Sequence, residues 1–327
     1  MLFSINPLIA HSELHIPLPI SRKLWDAKTA TQWKSVYLQS MSTPSEPTPS
    51  LTQTLQDVSI LNRFQNQIDF SLAGFLSVHG MFSIVMDCNR ARHGPYLHLR
   101  TLVFQTWQHE LQQILEQFEI AAVEPLKSSI PGISLIYQTV SLSLYIPLGD
   151  LEVFAGKEGL KRSSDVHEGI IKHISPTNLR QAIWHAGQVY RIAKSMPRES
   201  LTGFCATCLY FAALALWMYS VVSTGDNNRG EVEKQDIFPL DTEIDSAALR
   251  RFTISGYGTP VLSSGEHPVY LDNKAAVMRL FQQVLWSKHS GNTVHSQTRA
   301  LYNAFSALGS LTGMKGLDPS STGVRDV

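Results

Sequence analysis

The chain has 327 residues, of which 43% are hydrophobic and 17% are charged, a composition that excludes global disorder and allows a sizeable buried core. Its 27 basic and 27 acidic side chains cancel, so it lacks the positive excess typical of a domain that binds nucleic acid directly. Its three cysteines are too few for a disulfide scaffold, and no secretory signal precedes Pro7, so we expect an intracellular protein.

Residues 1–50 are predicted to form an N-terminal segment that packs on the body of the protein. Prolines punctuate its first part and bar a continuous helix. Ser21 and Thr29 each stand where an N-cap of a short helix is expected. Residues 42–50, with the sequence STPSEPTPS, carry no apolar side chain and therefore predict a surface loop.

Residues 51–223 predict the main helical domain, because apolar side chains recur there at steps of three and four residues. A strand-like alternation occurs at 141–146, but the length of that segment and its apolar face favour a helix. Four predicted helices are Leu51–Phe64, Ile68–Met86, His98–Glu119 and Ile133–Phe154. A fifth begins at Pro176, with Ser175 as its N-cap, and ends before Pro197. A sixth, which is apolar, begins at about Ser200.

Beyond this domain the sequence predicts an acidic loop at 224–242, two helices within 243–310 that belong to the same domain, and a flexible tail at 311–327. The two helices are Asp272–Trp286 and Thr293–Leu308. Since no segment gives a strong strand pattern, we predict an all-α fold with a central buried apolar helix and no substantial β-sheet.

The segment Phe204–Val222 carries no charged side chain over about the 20 residues that a membrane-spanning helix needs. It contains the polar residues Thr207 and Ser220, it is rich in small residues, and no cluster of lysine or arginine flanks it. These features favour a core helix with no membrane contact. A single-span membrane protein is the alternative, which alkaline carbonate extraction would distinguish.

Cys205 and Cys208 have the spacing of a redox pair or of half a zinc site. A redox pair needs a βαβ context, and zinc needs a second pair of ligands; the sequence supplies neither, so buried structural cysteines are expected. An α-helical enzyme or small-molecule-binding protein that uses this pair or His185 is the alternative, which titration with a thiol reagent would distinguish.

Other patterns for metal or cofactor binding fail on spacing. His173 follows His167 by six positions, which rotates the second ring by about 240° around a helix relative to the first and places the two on different faces, so they cannot share a metal. Gly256-Tyr257-Gly258 lacks the third glycine of a dinucleotide fingerprint. We therefore predict no catalytic, cofactor-binding or metal-ligating residues, and no enzymatic activity.

The tryptophans stand among helical neighbours, so most of them are predicted to lie in the core, and some could line an effector pocket between helices. The six are Trp25, Trp33, Trp107, Trp184, Trp217 and Trp286.

Several short segments follow one another in a characteristic order along residues 1–310. They are Leu2–Ile9, Leu24-Trp25-x-Ala27, His79-Gly80, Pro147–Gly156, Trp184-His185-Ala186, Leu214–Tyr219 and Gly258–Leu262. In this order they resemble the fungal-specific transcription factor domain, also called the middle homology region, and the last resembles members with two-Cys two-His fingers in particular.

The resemblance implies a regulatory region of a nuclear transcription factor, which in that family lies C-terminal to a zinc-containing DNA-binding module. Three cysteines cannot build a six-cysteine zinc cluster, and no histidine pair at finger spacing follows Cys208. We therefore expect the DNA reader and its zinc to be missing from this chain, either because they lie upstream in a longer product or because the chain is a shortened paralogue. Contact with DNA would then be indirect, and partners would be other proteins or a small effector.

Overall fold

The computed structural model describes residues 15–40, 47–92, 100–223, 236–243, 246–265, 267–289 and 296–310. Within these ranges the protein is mainly α-helical with one small sheet, which confirms the predicted fold class. The helical elements are α1 (Arg22–Trp25), α2 (Ala30–Ser40), α3 (Leu51–Gln56), α4 (Ile60–Arg63), α5 (Phe70–Arg92), α6 (Arg100–Phe118), a π-helical turn (Glu119–Val123), α7 (Glu124–Leu126), α8 (Pro131–Tyr145), α9 (Leu148–Phe154), α10 (Leu160–His173), α11 (Pro176–Ser195), α12 (Gly203–Ser223), α13 (Ala247–Ser255), α14 (Lys274–Ser287) and α15 (Ser296–Ser310). The strands are β1 (Ile237–Pro239), β2 (Thr259–Ser264) and β3 (His267–Tyr270).

Two of the predicted N-caps are confirmed by hydrogen bonds. The hydroxyl of Thr29 accepts from the backbone N–H of Gln32 at 3.1 Å, and that of Ser175 accepts from Asn178 at 3.1 Å, directly before the proline that opens α11. Ser21 precedes α1 but makes no side-chain cap. Local rules of helix initiation therefore hold at Thr29 and Ser175, where the hydroxyl satisfies a free N–H group.

The predicted surface loop at 42–50 is wrong at its C-terminal end, and residues 41–46 lie outside the described ranges. Ser50 is buried, and it forms a capping box with Gln53 at the start of α3. The carbonyl of Pro49 accepts from the N–H of Leu18 at 2.8 Å. That bond lies within the N-terminal segment. The segment is tied to the body by two other backbone bonds, from the N–H of Ser21 to the carbonyl of Gln67 at 2.9 Å and from the N–H of Asp69 to the carbonyl of Pro19 at 2.8 Å.

Two of the predicted helices are each split into two. Residues 57–59 separate α3 from α4, and Pro147 separates α8 from α9. Proline has no N–H, so the carbonyl of Ser143 cannot receive its usual bond from a residue four positions on. The side-chain amide of Asn89, on α5, donates to that carbonyl at 2.7 Å instead. The carbonyl left without its helical partner therefore receives a hydrogen bond from a neighbouring helix.

The helix α12 is the centre of the core, as predicted. It packs against α8, α9, α11, α14 and α15, and every residue from Phe211 to Met218 is buried. The indole of Trp217 donates to the carbonyl of Leu308 at 3.0 Å, which ties α12 to α15.

Two described helices, Phe70–Ala91 and Gly203–Ser223, are long and apolar enough to cross a membrane, by length and composition only. The more apolar of the two, α12, has 67% of its apolar window buried in the protein. A helix surrounded by five others needs no lipid to cover its apolar side chains, so the packing agrees with the predicted core helix.

The sheet was not predicted, and it has the strand order β1-β2-β3. The pair β1 and β2 is parallel, and the pair β2 and β3 is antiparallel. The prediction of a loop over 224–242 is wrong at Ile237–Pro239, which forms β1, and residues 224–235 lie outside the described ranges. These strands are short and each contains a proline, a residue that normally argues against a strand.

The C-terminal helices α14 and α15 confirm the two that were predicted, while α10 and α13 were not predicted. The tail at 311–327 lies outside the described ranges. In the turn at Gly256-Tyr257-Gly258, Gly256 ends α13 with a φ of 78°, a left-handed conformation that glycine adopts readily.

The prediction that most tryptophans lie in the core is wrong. Only Trp217 is fully buried, at 3% exposure, and Trp184 is half-buried. Four are exposed, namely Trp25, Trp33, Trp107 and Trp286. Helical spacing places a residue on a face, but it does not say how far the neighbouring helix extends over that face. Trp33, for example, stacks on Tyr37 of its own helix with ring centroids 4.9 Å apart.

Candidate functional site

A cavity of about 280 Å³ lies between α8, α11 and the π-helical turn, and it combines charged, polar and apolar side chains. We call it the π-turn pocket. Its lining residues are Glu119, Val123, Glu124, Lys127, Pro131, Ser134, Gln138, Arg191, Ile192, Ser195 and Glu243.

The π-helical turn has a local cause in the sequence. Pro125 has no N–H to give to the carbonyl of Ala121, and its ring would crowd that carbonyl in a regular α-helix. The preceding turn widens, and the N–H of Glu124 bonds to the carbonyl of Glu119, five positions back. Single π-turns of this kind are frequent at functional sites. Here the widened turn carries Glu119 into the wall of the pocket.

Glu119 provides a partly desolvated carboxyl group. One of its oxygens, Oε2, accepts from the hydroxyl of Tyr137 at 3.1 Å. Burial raises the pKa of the Glu119 carboxyl, and the hydrogen bond from Tyr137 opposes that rise. Burial also raises the pKa of Tyr137, so its hydroxyl stays protonated and remains a donor. A cationic group near Glu119 would favour its ionised form.

Lys127 lies between two carboxylates of the same pocket. Its ammonium is 2.8 Å from a carboxylate oxygen of Glu124 and 3.9 Å from one of Glu243. The hydrogen bond with Glu124 raises the pKa of Lys127, and the positive charge of Arg191 opposes that rise. Lys127 is therefore paired locally, and Arg191 is close enough for its charge to act there.

Arg191 presents a guanidinium group from α11. Its Nε donates to the side-chain oxygen of Gln188 at 2.8 Å, which orients the group. Among the described residues it has no ion pair with Glu119, although both line the pocket. The terminal N–H groups of Arg191 can therefore donate to an acceptor in the cavity.

Ser134 and Gln138 supply neutral polar groups one helical turn apart on α8. The hydroxyl oxygen of Ser134 is buried and has no hydrogen-bond partner among the described residues. The amide oxygen of Gln138 lies 2.7 Å from Nδ1 of His185. An amide oxygen only accepts, so the neutral ring carries its proton on Nδ1 and leaves the N–H groups of Gln138 for other acceptors.

His185 lies behind the pocket wall and fixes Gln138. It stacks on Tyr145 with ring centroids 5.7 Å apart. Burial lowers the pKa of His185 to about 4, so the ring is neutral at physiological pH. His185 is therefore a positioning residue for Gln138, which is the group that lines the cavity.

The cysteine pair singled out from the sequence does not line this pocket. Cys205 is half-buried and Cys208 is buried, and burial raises the pKa of both thiols. Both thiols are therefore protonated near neutral pH and poorly nucleophilic, as expected of structural cysteines.

The histidine pair weighed as a metal site is described only in part. His167 stacks on Phe154 at 5.5 Å, and the side chain of His173 lies outside the described part. Across the residues that are described, no group of three or more His, Cys, Asp or Glu side chains could hold a metal ion.

Sequence reasoning missed the residues of the π-turn pocket, namely Glu119, Lys127, Ser134, Gln138 and Arg191. One signal was present locally: Ser134 and Gln138 stand four positions apart on α8, and so share a face. A second was Pro125 within a helical run. The tryptophans, which were the sequence candidates for an effector pocket, are not among its lining residues.

The chain is similar to two curated fungal proteins. One is Transcription factor 1 of Elsinoe fawcettii, 25% identical over 307 residues that make up 86% of this chain and 31% of that protein. The other is a protein of Zymoseptoria tritici also named as a transcription factor, 23% identical over 250 residues, 66% of this chain and 25% of that protein. The chain thus spans a third or less of the length of these relatives. No protein-family model matches the chain, and no solved structure matches it.

Proposed function

We propose that this chain is the helical regulatory region of a fungal transcription regulator that acts in the nucleus. One observation carries the proposal: the similarity to Transcription factor 1 extends over 86% of this chain but only 31% of that protein. A regulatory region is expected to share a long helical stretch with only part of a larger transcription factor. The ordered segments within residues 1–310 support the finer assignment to the fungal-specific transcription factor domain.

On this proposal, sequence-specific recognition of DNA is carried out by a module that is not in this chain. The equal numbers of acidic and basic residues support this, because direct DNA binding relies on an excess of lysine and arginine against phosphates. The three cysteines also support it, since they are fewer than a zinc cluster of the family's type needs. The chain would act through protein partners or a small effector rather than through catalysis.

A tethering assay tests this function. The chain is fused to a heterologous DNA-binding domain, and transcription of a reporter with the matching site is measured. We expect a change of several-fold, in either direction, relative to the DNA-binding domain alone. Gly149→Ala is the matched folded control, since a Cβ at Gly149 meets nothing within 4 Å. Gly187→Trp is the misfolded control, since a side chain there collides with Leu240.

The outcomes of this assay are distinct. A reporter change with the wild-type chain and Gly149→Ala, but not with Gly187→Trp, supports the proposal. Soluble, folded fusions that leave the reporter at the level of the DNA-binding domain alone would overturn it. A gel-shift experiment with the purified chain tests the second part: a sequence-specific complex at physiological salt would show that the chain reads bases itself.

A further inference from the structure

We propose that the π-turn pocket binds a small zwitterion of the α-amino-acid class, with its carboxylate on Arg191 and its ammonium on Glu119. Binding of this ligand does not depend on the transcriptional role of the chain. The charges, the unpaired polar groups and the volume of the cavity support it.

The charges of the pocket divide into a paired set and an unpaired set. Lys127 is engaged by Glu124 and Glu243, at 2.8 and 3.9 Å. The charged groups that remain among the lining residues are the carboxyl of Glu119 and the guanidinium of Arg191. These two have opposite signs and, among the described residues, make no ion pair with each other. A ligand that carries one positive and one negative group can satisfy both at once.

The neutral groups complete the half of the site that would hold a carboxylate. The hydroxyl of Ser134 is buried without a partner among the described residues, and a buried unsatisfied polar group is costly unless something binds it. The N–H groups of Gln138 are available because its oxygen faces His185 at 2.7 Å. Together with Arg191 they offer several donors to a carboxylate, which accepts up to about four hydrogen bonds.

The opposite half would hold an ammonium group. Tyr137 engages Oε2 of Glu119 at 3.1 Å, which leaves Oε1 to accept from a ligand. Burial raises the pKa of this carboxyl, so a bound cation would be compensated by a desolvated negative charge, an interaction stronger than at an exposed site. A simple anion would leave Glu119 unpaired in the cavity, and a simple cation would leave Arg191 unpaired.

The size and the apolar lining restrict the ligand further. A volume of about 280 Å³ exceeds what a single ion or water needs, since a water occupies about 30 Å³, and it lies just below the usual range for drug-sized ligands. Val123, Pro131 and Ile192 supply the apolar part of the wall. The side chain of the ligand is therefore expected to be small and uncharged.

The test is direct binding to the purified full chain. The proteinogenic L-amino acids are screened by thermal shift, and any that raise the melting temperature are titrated by calorimetry. Each such amino acid is compared with the amine that lacks its carboxylate and with the acid that lacks its amino group. We expect saturable binding of at least one small neutral amino acid, and a loss of about tenfold or more in affinity with each analogue, about 1.4 kcal/mol.

Variants locate the binding. Arg191→Gln and Glu119→Gln should each lower the affinity for the amino acid about tenfold or more. Glu119→Gln should also remove the preference for the amino acid over the acid that lacks its amino group. The amide at position 119 can still accept from Tyr137, so folding is preserved and is checked by circular dichroism. Glu158→Gln, which removes an exposed carboxylate paired with Arg162 on α10, is the control and should bind normally.

Three results would overturn the proposal. The first is that no amino acid binds at millimolar concentration. The second is that the deaminated acid binds as well as the amino acid, which would mark a plain anion site. The third is that the folded Arg191→Gln and Glu119→Gln variants bind like the wild type. None of these results depends on whether the chain regulates transcription.

Discussion

Gly187 of α11 lies directly against the backbone of Leu240, the residue that follows β1. A Cβ built on Gly187 would come within 2.5 Å of the Cβ of Leu240 and within 2.7 Å of its carbonyl oxygen. That same carbonyl accepts a hydrogen bond from the side chain of Gln188 at 2.8 Å. The sheet thus docks on α11 at a point where only a hydrogen atom fits.

Gly187→Ala should therefore destabilise the protein. Alanine normally stabilises a helix by up to about 1 kcal/mol relative to glycine, but overpacking at a close contact costs about 1–3 kcal/mol. The contact here is with backbone, which cannot move aside cheaply, so we expect net destabilisation. Urea denaturation measures it. Gly149→Ala in α9, where a Cβ meets nothing within 4 Å, should instead be neutral or stabilising, and equal behaviour of the two variants would contradict the docking described.

Asn89→Ala should cost about 1–3 kcal/mol, because it leaves the carbonyl of Ser143 unsatisfied in the core. Asn89 is buried and its amide donates to that carbonyl at 2.7 Å, where Pro147 cannot. The control is Gln112→Ala, which removes an exposed bond to Glu116 and should cost less than about 0.5 kcal/mol. If chemical denaturation finds the two variants equally stable, the hydrogen bond from Asn89 to the carbonyl of Ser143 does not contribute to stability.

The helices were predictable where local chemistry decides them. The cap at Ser175 and the proline after it mark the start of α11, and the uncharged run at Phe204–Val222 marks the central helix. The sheet was not predictable, because strands of this length that contain proline give no pattern in sequence. Their pairing is non-local, since β1 and β2 are separated in the chain by α13.

The pocket could not be predicted because its parts come together only in the folded chain. Glu119, Gln138 and Arg191 lie far apart in sequence and on three different elements. Each, taken alone, is a common helical residue. The prediction that most tryptophans lie in the core was wrong for a related reason. Periodicity identifies the face of a helix on which a residue lies, but it does not show how much of that face a neighbouring helix covers.

The pH dependence of stability should contain a component from His185. Burial lowers the pKa of this ring from its ordinary value of 6.5 to about 4. Between these values the unfolded chain binds a proton that the folded chain does not, so stability falls as pH decreases through this window. The shift corresponds to about 3 kcal/mol, and below about pH 4 this component no longer changes.

His185→Gln isolates that component. The burial of His79 acts in the same direction and that of Glu119 acts in the opposite one, but both are present in the wild type and in the variant. The difference in unfolding free energy between the two proteins should therefore shrink or change sign as pH falls from 6.5 to 4. A difference that stays constant across this range would show that His185 is not buried in its neutral form.

Cys205 and Cys208 should react slowly with a thiol reagent near neutral pH, because burial raises the pKa of both thiols and the thiolate is the reactive form. A Cys88→Ser background isolates the pair. We expect Cys208 to be labelled only as fast as the protein unfolds, and addition of denaturant should accelerate it. Rapid labelling of either thiol in the folded chain would instead favour a redox or catalytic role for the pair.

Transcript measurement in the organism that encodes this chain tests the regulatory role most directly. The gene is disrupted and then complemented with the wild type, with Gly149→Ala or with Gly187→Trp, and RNA is sequenced under conditions in which the gene is expressed. We predict a defined set of changed transcripts that the first two restore and the third does not. An unchanged transcript profile after disruption would contradict the proposal that this chain controls transcription.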